Sequence, residues 1–192
     1  MKKIFQLITT IIILANNCFG QSSDLDNSLK YICTGDKCLG LEFSFKYPKN
    51  WKSLETDRPH VVAKIFSENG KGLEGLVVTV ISDPELSKYP MKDIAISVMP
   101  KDAKLIKYED DIRIDDCSSS FIEFSYSFKK LDMLLYSRNV VYIVRYKKYC
   151  LLFTFSVGDK TATKSDIDKK FNSFYPLFKK MALGITILSK YK

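Results

Sequence analysis

Leu41-Glu42-Phe43-Ser44-Phe45-Lys46-Tyr47-Pro48-Lys49-Asn50-Trp51 is the stretch that decides the fold. Leu41, Phe43, Phe45 and Tyr47 alternate with Glu42, Ser44 and Lys46, the period-two rhythm of a strand with one buried and one wetted face. Pro48-Lys49-Asn50 then ends the strand in a turn. An apolar strand face must be covered, and the downstream sequence supplies partners. Residues 60–66 and 73–81 read as two strands joined by the hairpin turn Asn69-Gly70-Lys71-Gly72. Residues 105–114 form a mixed, charge-bearing strand suited to a sheet edge. Ile122, Phe124, Tyr126 and Phe128 alternate with Glu123, Ser125 and Ser127. After a connection at Lys129-Lys130-Leu131-Asp132, residues 134–146 form a long strand. The last strand, 151–157, places Leu151, Phe153, Phe155 and Val157 on one face.

The period changes twice. Met91, Ile94, Ala95 and Val98 make one stripe of a helix, with Pro90 at its start and Pro100 as its stop. Near the C-terminus, Ile167, Phe171, Phe174, Phe178, Met181 and Ala182 line a longer helix. Ser165 and Asp168 have capping-box spacing there. Pro176 should kink or restart the helix, since its ring clashes with the carbonyl four residues back. Gly184 suits its end. Strands joined by tight turns pair antiparallel. The expectation is an α+β domain: one central antiparallel sheet of about six to seven strands flanked by helices, like an αβα sandwich.

Upstream, residues 21–32 are polar and read as a loose arm, extended to residue 40 by the loop from Cys33 to Cys38. Residues 1–20 read as a signal peptide: Lys2 and Lys3, an apolar run from Ile4 to Ala15, and Cys18-Phe19-Gly20 before cleavage at Gln21. The run is too short for a bilayer span, which needs about 20 apolar residues. An uncleaved anchor is the alternative. Acylation of Cys18, which would make a lipoprotein, is disfavoured because Asn16 and Asn17 stand where a small residue is wanted. Residues 41–192 then form one domain, with no transmembrane span in the mature chain.

The 192 residues carry 30 Lys and Arg against 22 Asp and Glu, a net charge of +8. Only Arg58, Arg113, Arg138 and Arg145 are arginines. Nucleic-acid readers rely on the bidentate guanidinium fork, so this lysine-dominated excess argues against nucleic acid. It indicates solubility and weak attraction to anionic surfaces.

Export makes the cysteines interpretable. Beyond Cys18 there are four, Cys33, Cys38, Cys117 and Cys150. An even number in an oxidising compartment suggests disulfides, with three pairings open to sequence alone. Cys33-Thr-Gly-Asp-Lys-Cys38 encloses a turn that closes a small loop. Cys117 and Cys150 each precede an alternating run and could meet across adjacent strands. The expected pairing is therefore 33–38 with 117–150. With His60 the only histidine, zinc and other metals are not expected, nor is any cofactor.

Tyr47-Pro48-Lys49-Asn50-Trp51, following an alternating strand, resembles the opening motif of PsbP-like domains. These include an extrinsic photosystem subunit of plants, a nuclear import factor that binds Ran, and bacterial periplasmic relatives. The resemblance implies a central antiparallel sheet between helices over about residues 41–183. No plastid transit peptide is present, so the photosynthetic role does not carry over.

Candidate sites are sparse. His60, in Asp57-Arg58-Pro59-His60, could be a general base, but no Gly-x-Ser-x-Gly elbow accompanies it. Trp51 among Tyr47, Lys49 and Lys52 could stack a ligand, or it could cap the core. Glu109-Asp110-Asp111 and Asp115-Asp116 lack the EF-hand pattern and read as solvated charges guarding an edge strand. Lys179, Lys180, Lys190 and Lys192 gather near the C-terminus, where helix ends favour cations. No phosphate loop or dinucleotide fingerprint occurs. The expected function is an exported, non-enzymatic binding or accessory domain with an unidentified protein partner. The alternative is a small hydrolase or ligand-binding enzyme using His60.

Overall fold

The computed structural model describes residues 25, 27–67, 74–130, 133–159 and 163–192. The expected signal peptide and the turn at 69–72 lie outside these residues, as do Leu131 and Asp132 of the connection. Among the described residues nine strands form, in chain order β1 (Ser28–Cys33), β2 (Phe43–Pro48), β3 (Trp51–Leu54), β4 (Val61–Ser67), β5 (Gly75–Ser82), β6 (Lys104–Ile114), β7 (Cys117–Lys130), β8 (Met133–Tyr146) and β9 (Tyr149–Asp159). Helix α1 (Met91–Ser97) precedes β6, and helix α2 (Lys164–Leu183) follows β9.

Seven strands build one antiparallel sheet in the order β3-β4-β5-β9-β8-β7-β6. The α+β expectation holds. Period-two alternation turns each strand's apolar set to one side, and the sheet is buried on both faces. On one face Phe153, Phe155, Val140, Tyr142 and Phe121 meet Phe171, Phe178 and Met181 of α2. On the other, Ile122, Phe124, Val141, Ile143 and Leu152 meet Ile94 and Ala95 of α1. The β6–β7 and β8–β9 connections are two-residue turns. Asp115 and Asp116 both have positive φ, at 50° and 57°, the backbone that matches the twist of a tight hairpin. β6 is indeed an edge strand, interrupted by register shifts.

Four local expectations are corrected. First, the alternating stretch 41–47 is a strand but not part of the central sheet. Its register runs antiparallel with β1, giving a separate two-stranded sheet. A turn at Lys49 and Asn50 separates β2 from Trp51, where the central sheet begins with β3. Phe43, Phe45 and Tyr47 still pack into the α2-side core, so the small sheet acts as a lid beside the helix. Second, residues 28–33 are not a loose arm but strand β1. It satisfies the backbone groups along one edge of β2, which would otherwise be unpaired. Tyr31 pins β1 to the core by donating its hydroxyl proton to the Val62 carbonyl.

Third, α2 starts two residues earlier than the Ser165–Asp168 spacing suggests. Thr163 is the N-cap: its Oγ1 accepts from the Asp166 N–H at 3.2 Å, and Asp166 accepts from the Thr163 N–H at 3.2 Å. Asp168 is thereby released for another role. The helix passes through Pro176 without a restart.

Fourth, Cys117 and Cys150 are free thiols rather than a disulfide. β8 stands between their strands, and one sulfur faces the α2 side while the other faces α1. Cys33 and Cys38 are bridged, with Cα atoms 6.0 Å apart. Burial pushes both thiols up, Cys150 to about 12, which suppresses the reactive thiolate. For a chain of residues 21–192, the expected result with a maleimide is no labelling of native protein and two adducts, on Cys117 and Cys150, after unfolding without reductant. A peptide map linking Cys117 to Cys150 would contradict this.

Candidate functional site

The C-terminal residues tie β2 to the central sheet and shape the surface beside α2. Ser44 and Thr186 exchange both backbone hydrogen bonds at 2.9 Å, forming an isolated bridge. The Glu42 N–H donates to Ser189 Oγ at 2.9 Å, and the Ser189 N–H donates to the Glu42 carbonyl at 3.2 Å. Asp115 holds the same segment from the far side: its Oδ2 accepts from the Ile187 N–H at 2.7 Å and its Oδ1 from the Tyr191 hydroxyl. Lys190 adds a bond to the Asp115 carbonyl, and Lys192 pairs with Glu42. Asp115, read from sequence as a solvated charge, and Lys190 and Lys192, read as cations suited to a helix end, are fasteners.

Between the β1–β2 lid, this fastened segment and the last turn of α2 lies a cleft of about 390 Å³. Leu25, Phe45 and Met181 line it, and all three are largely buried. Lys30, Lys46 and Lys180 also line it, and no carboxylate does so among the described residues. The β1–β2 register places Lys30 directly opposite Lys46. Residues paired in this way project from the same face of the sheet, and like charges so placed cost roughly 0.2–1 kcal/mol. The lid thus carries a repulsion that folding does not need. Lys180 stands in the last turn of α2, where the helix's exposed carbonyls favour a cation.

The sequence-predicted residues fall elsewhere. Trp51 is buried at 4% exposure, its ring 6.4 Å from those of Phe174 and Phe178, so it belongs to the core and has no face free for stacking. His60 is exposed, at φ 66°, with its carbonyl accepting from the Val80 N–H at 2.9 Å. It borders a broad, shallow basin with Asp36, Asp57 and Arg58. Among the described residues its ring has no carboxylate hydrogen bond of the kind an oriented general base requires. Among the described residues no cluster of three metal-ligating side chains occurs either.

A second cleft, of about 190 Å³, opens at the N-terminal end of α2. Two of the charges that line it, Arg138 and Asp168, are paired with each other. Arg138 donates from Nε to Glu123 Oε1 at 2.8 Å and from Nη1 to Asp168 Oδ1 at 2.9 Å, and its guanidinium lies 4.8 Å over the Phe171 ring. This is the role for which Asp168 is free. Glu123 is nearly buried, so the triad ties β7, β8 and α2 together rather than awaiting a ligand.

Sequence reasoning missed the lysine-lined cleft because it left β1 unassigned. The signal was present: Leu29, Tyr31 and Cys33 alternate with Lys30 and Ile32.

Comparison with known proteins bears on fold. No family model matches the chain. No curated protein matches it either. Among solved structures, it is similar to the Ran-binding protein Mog1p of Saccharomyces cerevisiae, with a TM-score of 0.52 and 9% identity over 84% of this chain and 95% of that one. A structure from Bacteroides thetaiotaomicron aligns with a TM-score of 0.49 and 14% identity over 84% of this chain, which spans about half, 48%, of that protein. LpqN of Mycobacterium tuberculosis, described as involved in cell envelope biogenesis, aligns with a TM-score of 0.44 and 9% identity over 83% of this chain and 90% of that one. The likeness to Mog1p is one of fold, and it agrees with the architecture that the Tyr47–Trp51 motif implied. Among the described residues no helix is long and apolar enough to cross a membrane.

Proposed function

We propose that this chain is a non-enzymatic binding domain of the Mog1/PsbP-like kind, exported to the cell envelope or beyond, which binds an anionic group at the lysine-lined cleft. The observation that carries the reading is the direct opposition of Lys30 and Lys46, both exposed, across the β1–β2 pair at the rim of the cleft. A repulsion retained in the free protein is relieved when an anion arrives, and binding regains what folding gives up. The residues at 1–20 and the Cys33–Cys38 bridge support export into an oxidising compartment. The Ran-binding activity in the name of Mog1p supports a binding role, without fixing the ligand.

The test is photo-cross-linking in intact cells, with a benzophenone amino acid at position 46 and a control at exposed Lys129. The expected result is a defined adduct at 46 and none at 129, on a mature chain that begins at Gln21 by mass spectrometry. Adducts of equal yield at both positions would overturn the cleft as the binding surface. Catalytic turnover that disappears in His60→Ala would overturn the non-enzymatic reading. A mature chain beginning at an acylated Cys18 would replace a freely diffusing protein with an anchored one.

A further inference from the structure

From the cleft at the N-terminal end of α2 we infer a second site, one that receives a single-ring sugar acid, a polyhydroxylated carboxylate. The sheet face beneath α2 changes character along β7 and β8. Period two keeps Phe121, Glu123, Ser125 and Ser127 on that face, and the register sets Tyr142, Val140, Arg138 and Tyr136 opposite them in turn. Phe121, Val140 and Tyr142 belong to the core, whereas Ser125, Ser127, Arg138 and Tyr136 line the cleft. Lys104, at the start of β6, pairs with Ser125 and so joins the same face. Lys164 and Asp168 close the cleft from α2, and Asp102 from the turn before β6. Polar groups on a covered face usually bond to one another. Here Arg138 does so, donating to Glu123 and Asp168. Among the described residues, the hydroxyls of Ser125, Ser127 and Tyr136, the ammonium groups of Lys104 and Lys164 and the carboxylate of Asp102 have no hydrogen-bond or ion-pair partner.

This inventory matches a sugar acid group by group. Hydroxyls on both sides can trade hydrogen bonds, since each one donates and accepts, and Asp102 accepts further ones. The charges without a partner are two ammonium groups against one carboxylate, which favours one negative charge on the ligand. An ammonium group is a compact point charge and makes no demand for a planar, bidentate approach. The volume of about 190 Å³ lies below the roughly 300–1,000 Å³ of drug-sized pockets, which limits the ligand to one ring. Other classes answer only part of the lining. A neutral sugar leaves both ammonium groups unpaired, and a bare anion leaves the hydroxyls unused. An acyl chain needs a dry wall, but Ile167, the aliphatic side chain here, is 2% exposed. The site lies apart from the Lys30–Lys46 pair, so either can fail without the other.

The test is titration of a purified chain of residues 21–192 with glucuronate, glucose and acetate, followed by amide NMR. Glucuronate is expected to bind at least about tenfold more tightly than either of the others, through two ammonium contacts that glucose lacks and hydroxyl contacts that acetate lacks. It should shift the amides of Ser125, Ser127 and Lys164 and leave that of Ile94, under α1 on the other face, in place. Lys104→Gln and Lys164→Gln should each weaken glucuronate about fivefold. Both lysines are exposed, so neither variant removes a core contact. Lys92→Gln, on the exposed side of α1, should change nothing. Equal affinity for acetate and glucuronate would overturn the sugar acid and identify a simple anion site. Equal affinity for glucose would overturn the role of the lysines. If glucuronate shifts none of the three amides, or binds both lysine variants as well as it binds wild type, the site itself is overturned, while the binding reading at Lys30 and Lys46 stands.

Discussion

Arg138→Met is expected to lower the unfolding free energy by about 3 kcal/mol, the low end of the range for removing one partner from a buried ion pair. The cost arises less from the lost attraction than from what remains. Glu123, whose side chain is 7% exposed, would keep its charge in the core with no counter-ion, and Asp168 would lose its bond at 2.9 Å. Arg138 itself is only partly covered, which is why the lower figure applies. The sign of the pH dependence follows from this arrangement. An unpartnered buried carboxylate binds its proton more readily in the folded chain than in the unfolded one, so the deficit should shrink as pH falls and grow as it rises. Urea denaturation across a pH series measures it. Adding Glu123→Gln to the variant should restore part of the loss, since the stranded charge is then gone. A deficit that is independent of pH, or untouched by the second substitution, would show that the triad does not bind the elements as described.

Phe178→Ala is expected to cost more, about 3–5 kcal/mol. The side chain is completely buried and stands between α2 and the central sheet. Its ring centroid is 4.9 Å from Phe155, 5.7 Å from Phe174, 6.0 Å from Phe171 and 6.4 Å from Trp51. Removing the ring leaves a cavity that these stiff neighbours cannot close, so contact energy is lost on every side. Phe178→Leu should cost markedly less because most of the volume remains. Trp51 is the only tryptophan, so the fluorescence of the folded variant reports directly on the site. The expected signal is a changed Trp51 emission in Phe178→Ala and a smaller change in Phe178→Leu.

How far these features could be read from the sequence depends on the range over which each is encoded. Alternation is a property of a few consecutive residues, so the strands from residue 60 onward, helix α1 and the apolar stripe of α2 were all legible. Which sheet a strand joins is a long-range property. The run at 41–47 carries the same signature whether it pairs with β1 or with the central sheet, and its partner, residues 28–33, is not set by the run itself. Cys117 and Cys150 show the same limit. Each precedes an alternating run, yet their faces and the strand between them are set by register and strand order. The N-cap was misplaced by two residues because Ser165–Asp168 and Thr163–Asp166 have the same spacing, and the choice rests on Arg138, which claims Asp168. The cleft was the least visible feature. Its elements come from three segments distant in the chain, and its defining pair, Lys30 and Lys46, exists only through a register that links residues 28–33 to 43–48.

The central claim is that this lysine pair is kept for an anionic ligand at a cost to the free fold. Thermal denaturation of wild type and Lys46→Gln, each with and without inorganic phosphate, tests it most directly. The account predicts that the substitution leaves the free protein as stable as wild type or raises its Tm, and shrinks the rise in Tm on adding ligand. A free variant that melts earlier than wild type and yet gains as much from the ligand would contradict it.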